Sequence, residues 1–129
     1  MTITQLIYAS QPFGFDDAML NGILVQARRN NPRNDITGCL ICRQDLYLQL
    51  LEGPAEAIET LFAKIKSDDR HLRVVELSRA TVAARLFPDW AMRDDPAQSW
   101  LWPADAVENG ALSQASPDAL RAVFARVGA

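Results

Sequence analysis

An α+β domain, with a mainly antiparallel sheet carrying two helices on one face, is the fold class this sequence predicts. Three observations predict it. Short β-branched and aromatic runs alternate with two stretches of helical period, in the order β-α-β-β-α-β. The third of the short runs, Leu46-Tyr47-Leu48-Gln49-Leu50-Leu51, is apolar on both alternating faces, so it belongs at the centre of a sheet covered twice. A chain of 129 residues with 49% hydrophobic and 22% charged residues has the size of one domain with a proper core.

Residues 3–10 (Ile-Thr-Gln-Leu-Ile-Tyr-Ala-Ser) make the first strand, and Gln11-Pro12-Phe13-Gly14 closes it as a loop. Asp16 or Asp17 caps a first helix over residues 17–30, in which Leu20, Ile23, Leu24 and Ala27 form the apolar stripe. Arg28 and Arg29 suit the negative end of its dipole. Pro32 stops the helix within the turn cluster Asn30-Asn31-Pro32-Arg33-Asn34-Asp35. Residues 36–42 form the second strand, joined by a short hairpin at Arg43-Gln44-Asp45 to the third. Pro54 is expected at the first position of the second helix, whose stripe is Ile58, Leu61, Phe62 and Ile65. Ser67-Asp68-Asp69-Arg70-His71 is its exit loop. Residues 72–77 are the fourth strand, residues 79–85 are ambiguous, and residues 86–92 read as a turn and a short edge strand, since Pro88 has no place in a central ladder. Asp94-Asp95-Pro96 breaks the pattern. In the tail, Ser116 caps a last helix with Pro117 in its first turn and Leu120, Val123, Phe124 and Val127 as its stripe.

The order matches the ferredoxin-like plan of two split βαβ units with an added fifth strand. In it the first and third strands are expected to be parallel, central neighbours. The two helices cover one face, and the C-terminal helical extension is the material available to cover the other.

Several polar residues sit where a packed core does not want them. Gln49 interrupts the central strand and Tyr8 lies in the first; Asn30 and Asn31 end the first helix, and Arg70 and His71 follow the second. A buried amide without partners costs about 1–3 kcal/mol, so Gln49 either finds backbone or water partners or faces a polar ligand. If Tyr8 and Gln49 converge beneath the helices, Ile23 and Ile65 become the walls of a slot suited to a flat aromatic ligand with amide-like edges. The competing reading, a plain core with turn-forming asparagines, stays open on these grounds.

Other classes fit less well. Cys39 and Cys42 are the two cysteines, and three positions apart on a strand they face opposite ways. His71 is the sole histidine, leaving no ligand set for tetrahedral zinc. The net charge of −3 argues against a nucleic-acid binder. The N-terminal apolar run is too short for a signal or membrane segment, pointing to a cytoplasmic location. An acylphosphatase-like hydrolase could use Asn31 and Arg70 on an oxyanion, but Gln11-Pro12-Phe13-Gly14 lacks a run of free N–H donors. A cofactor-free interaction domain of the same fold is the other alternative.

The runs Leu6-Ile7-Tyr8-Ala9-Ser10, Arg28-Arg29-Asn30-Asn31, Ile36-Thr37-Gly38, Tyr47-Leu48-Gln49-Leu50-Leu51-Glu52-Gly53, Asp69-Arg70-His71 and Phe87-Pro88-Asp89-Trp90-Ala91-Met92 together resemble a BLUF domain, the flavin-binding blue-light sensor, over residues 3–93. The resemblance implies a non-enzymatic photoreceptor with a non-covalent flavin, most often FAD, with FMN possible. By position, it makes Tyr8 the photoactive tyrosine and Gln49 the switching glutamine. It places Asn31 at the ring's carbonyl and imide edge with Asn30 beside it, Arg70 and His71 at its pyrimidine side, and Ile23 and Ile65 across its faces. Trp90 and Met92 match the fifth-strand residues that exchange places near the glutamine, with Ala91 where a serine is common. It further implies a sensing domain over residues 1–95 and a helical extension over 96–129. Output then passes through the fifth strand and tail to an effector protein in trans or a homo-oligomer. Trp100 and Trp102 read as tail packing or an oligomer contact.

Overall fold

The computed structural model describes residues 3–12, 17–43, 46–68, 71–88, 92–96 and 102–128. Strands β1 (Ile3–Pro12), β2 (Thr37–Arg43), β3 (Leu46–Gly53), β4 (His71–Val82) and β5 (Arg93–Pro96) form one sheet in the order β4-β1-β3-β2-β5. Helices α1 (Asp17–Asn30) and α2 (Ala55–Lys66) connect β1 to β2 and β3 to β4, and the tail forms α3 (Ala104–Glu108), α4 (Ala111–Gln114) and α5 (Pro117–Gly128). The α+β class, the ferredoxin-like order and the added fifth strand are those expected from sequence.

Every residue of β3 is buried, which is why its sequence is apolar on both faces. Leu46, Leu48 and Leu50 join Ile7, Cys39, Ile41, Leu112, Leu120 and Phe124 in a core between sheet and tail, hereafter the tail face. Tyr47 and Leu51 join Leu6, Tyr8, Leu24, Leu40, Ile58 and Phe62 in a second core, the helix face. The tail therefore does fold back over the face that α1 and α2 leave open. Cys39 and Cys42 are assigned to opposite cores, and no disulfide joins them. Ser116 Oγ accepts the Ala119 N–H at 3.1 Å, the cap expected of it.

Five expectations need correction. β1 and β3 are central neighbours but antiparallel, with Tyr8 opposite Gln49. The physical reason is connectivity: the α1 crossover makes β2 parallel to β1, and the tight β2–β3 hairpin then reverses β3 between them. The fifth strand is Arg93–Pro96, not residues 86–92, so Asp94-Asp95-Pro96 is not a breaker; β5 is an edge strand parallel to β2, where a terminal proline is tolerated. β4 begins at His71, which is thus not in the exit loop, and runs on through the ambiguous stretch to Val82. β1 extends to Pro12, two residues into the expected loop. Pro54 is the N-cap of α2, one position before the helix, with extended geometry (φ −60°, ψ 141°).

Candidate functional site

Tyr8 is carried to the middle of the helix face by the alternation of β1, and Gln49 is set opposite it by the β1–β3 register. The Tyr8 hydroxyl donates a hydrogen bond to Gln49 Oε1. The other end of the same amide, Nε2, lies 3.3 Å from Met92 Sδ, a weak acceptor. Met92 stands just before β5, with its carbonyl oxygen accepting from Arg28 Nε at 3.2 Å. Gln49 is 4% exposed and Met92 1% exposed, so this chain of contacts is buried. The Tyr8 ring packs on Phe62 of α2, centroids 5.3 Å apart and planes tilted by 46°. Burial, and secondarily the Asp68 charge, push the Tyr8 phenol far above its ordinary pKa, so it stays a neutral donor.

Above Gln49 a cleft of about 710 Å³ opens between α1 and α2. Ile23 and Ala27 line it from α1; Ala57, Leu61 and Ile65 line it from α2, one turn apart. Gln49 and Met92 contribute to its lining from the sheet, and Asn30 and Asn31 from the end of α1. Asn31 is only 1% exposed because the chain closes tightly around it. Its carbonyl accepts the N–H groups of Asn34 (3.0 Å) and Ile36 (2.9 Å), and Asp35 turns the chain in the left-handed region (φ 58°). Arg33 and Lys64 add cationic groups to the lining, with Glu56 and Asp68 beside them.

Of the residues singled out from sequence, Ile23, Asn30, Asn31, Gln49, Ile65 and Met92 therefore meet at one cleft, with Tyr8 bonded beneath it. Arg70 and Trp90 lie outside the described residues, as do Ala91 and Trp100; His71 opens β4, but its side chain is outside the described set. Trp102 is half-buried against the tail-face core. Sequence reasoning missed Ala57 as a wall and Arg28 as the group holding Met92. Ala57 was detectable, since 57, 61 and 65 recur every fourth residue; Arg28 was not, because its partner is a backbone carbonyl 64 positions away.

The cleft volume falls in the range of cofactor sites. Aliphatic side walls suit a flat ring, buried amides suit its polar edge, and Arg33 and Lys64 suit a phosphate. The donor set thus fits a flavin nucleotide.

Comparison with known proteins points the same way. The family model for BLUF, described as sensors of blue-light using FAD, matches residues 3–93. Photoactivated adenylate cyclase subunit beta from Euglena longa is 36% identical over 92 residues, 70% of this chain but 10% of that protein. The chain thus spans about a tenth of the length of that curated relative. The dark-state structure of BlrB, a BLUF protein, superposes with a TM-score of 0.80 at 26% identity, covering 98% of this chain and 95% of that one. The photo-activated state of BlsA gives a TM-score of 0.77 at 26% identity, covering 98% and 93%.

Proposed function

The chain belongs to the BLUF family of blue-light sensors using FAD, matched over residues 3–93, and we propose that it senses light by switching the hydrogen bonds of Gln49 beneath a flavin held between α1 and α2. The observation that carries this reading is the contact series Tyr8 to Gln49 to Met92 at the floor of the cleft. A bound flavin supplies blue-light absorption and an excited state able to oxidise a phenol. Everything else is the work of the chain. Tyr8 is the oxidisable donor, kept neutral by burial. Gln49 accepts its proton's hydrogen bond at one end and donates at the other, and the two ends of an amide are nearly isosteric. Turning the amide over, or tautomerising it, exchanges the partners without repacking the core. The weak thioether acceptor makes Nε2 cheap to withdraw. Glutamate at this position could not donate, and leucine would have nothing to exchange.

In this reading Asn31 binds the carbonyl and imide edge with Asn30 beside it, Ile23 and Ile65 flank the ring, and Arg70 and His71 bind its pyrimidine side. FAD rather than FMN is the favoured nucleotide, supported by the family description. Trp90 and Met92 couple the switch to β5, and a sensing part over residues 1–95 signals through a tail over 96–129 to an effector in trans or a second copy of the chain. No helix among the described residues is long and apolar enough to cross a membrane.

The test is the absorption spectrum of the purified protein before and after a blue flash. A flavin spectrum that shifts slightly to the red and recovers in the dark is expected, and Gln49→Leu should abolish the shift while keeping the flavin. Full shift in that variant sinks the switch assignment; failure to bind flavin even after reconstitution returns the protein to a cofactor-free interaction domain.

A further inference from the structure

The connection from β4 to β5 must cross the end of the sheet, from one edge past β1, β3 and β2 to the other. A crossing segment leaves backbone N–H groups without ladder partners. One side chain meets two of them. Glu52, fully buried at the end of β3, accepts the Leu86 N–H on Oε2 at 2.8 Å and the Phe87 N–H on Oε1 at 2.9 Å. Its Oε2 also accepts Gln5 Nε2 from β1 at 3.1 Å. Arg85, just before, closes the same junction from outside: Nη1 donates to the Glu52 carbonyl (3.0 Å) and Thr37 Oγ1 (2.9 Å), and Nη2 to the Asp35 carbonyl (2.8 Å).

This lock lies where the connector changes faces. Phe87 is buried in the tail-face core with Leu112, Leu120 and Phe124, whereas Met92, five residues on, is buried on the helix face against Gln49. Glu52 is itself three residues from Gln49 on one rigid strand. We infer that Glu52 is a positioning residue for the light switch: by gripping the backbone of Leu86 and Phe87 it fixes the point from which the connector delivers Met92 to Gln49 and Phe87 to the tail. The inference rests on the reading of Gln49 as the switch. Two features separate this role from generic core packing. A carboxylate on two backbone N–H groups specifies position more strictly than an apolar contact does, and charge-assisted bonds are roughly twice as strong as neutral ones. The grip also acts on backbone, so it holds the connector whatever side chains surround it.

The experiment uses the full chain with its flavin and the isosteric variant Glu52→Gln, which replaces one accepting oxygen by an N–H donor facing another N–H. Flavin content and the size of the red shift should match the wild type, since Glu52 does not line the cleft. Dark recovery should change by roughly tenfold, the consequence of about 1.4 kcal/mol at the transition between switch states. Hydrogen exchange at the amides of Leu86 and Phe87 should rise in parallel. Wild-type recovery in Glu52→Gln, even with reduced thermal stability, overturns the inference. If that variant does not fold, Arg85→Gln carries the test, with altered recovery expected and unaltered recovery overturning the claim. A parallel Gln49→Leu control separates the two ideas: if it keeps the full shift, the switch reading fails and this inference with it, whereas an ordinary control beside unchanged recovery in Glu52→Gln overturns the positioning role alone.

Discussion

Tyr8 keeps its proton because burial takes its hydroxyl out of water, and secondarily because the Asp68 charge repels a phenolate. The sign of the pH dependence follows. A folded-state pKa raised above the ordinary value near 10 leaves stability unchanged below pH 10, where both folded and unfolded tyrosine are protonated. Above it the unfolded chain ionises first, so stability should fall by about 1.4 kcal/mol per pH unit from this group. Urea unfolding between pH 9 and 11, wild type against Tyr8→Phe, measures that difference. The red shift itself should keep its size from pH 6 to 9, and loss of it in that window would show that Tyr8 is not a neutral donor. Tyr8 and Gln49 were legible as residues out of place in a core. Their direct bond was not, because it depends on a register 41 positions apart in sequence.

At the scale of elements, β2 and β3 lie close enough that a Cβ on Gly38 would overlap the backbone carbonyl oxygen of Leu50. Backbone atoms in the centre of a sheet cannot step aside, so Gly38→Ala should destabilise the protein by roughly 1–3 kcal/mol or more in urea unfolding, the range for overpacked cores. An unchanged midpoint would mean that the strands separate more easily than their register suggests. Gly53 is a second case, since its Cβ would approach the Asp35 carbonyl oxygen at 2.8 Å, again a backbone atom, and one that Arg85 Nη2 holds. The two helices, whose apolar stripes are strongly periodic, matched their expected bounds or came within a residue. β5 did not, because a short edge strand carries no periodic signal; it forms where the connector, once across the sheet, meets the free edge of β2.

At the scale of the molecule, the sheet divides two cores with different work. The helix face encloses the cleft, and the tail face is a plain apolar core closed by Leu120, Val123 and Phe124. Phe124→Ala should therefore cost about 3–5 kcal/mol of stability, as buried aromatic truncations do. It should leave flavin affinity and the red shift in place; losing flavin along with stability would mean that the two cores fold as an inseparable unit around the ligand.

The sequence by itself determined the α+β class, the order of elements, the double burial of β3, the opposite facing of Cys39 and Cys42, and the tail as a cover. These follow from period, length and turn chemistry, all encoded within a few residues of each other. The tertiary structure alone decided that β1 runs antiparallel to β3, that the Gln49 amide turns its Nε2 end to Met92 and its Oε1 end to Tyr8, that Arg28 holds the Met92 carbonyl, and that Glu52 grips Leu86 and Phe87. Each of these depends on groups far apart in the chain, and three of them on backbone atoms that every residue carries alike, so no side-chain pattern announces them.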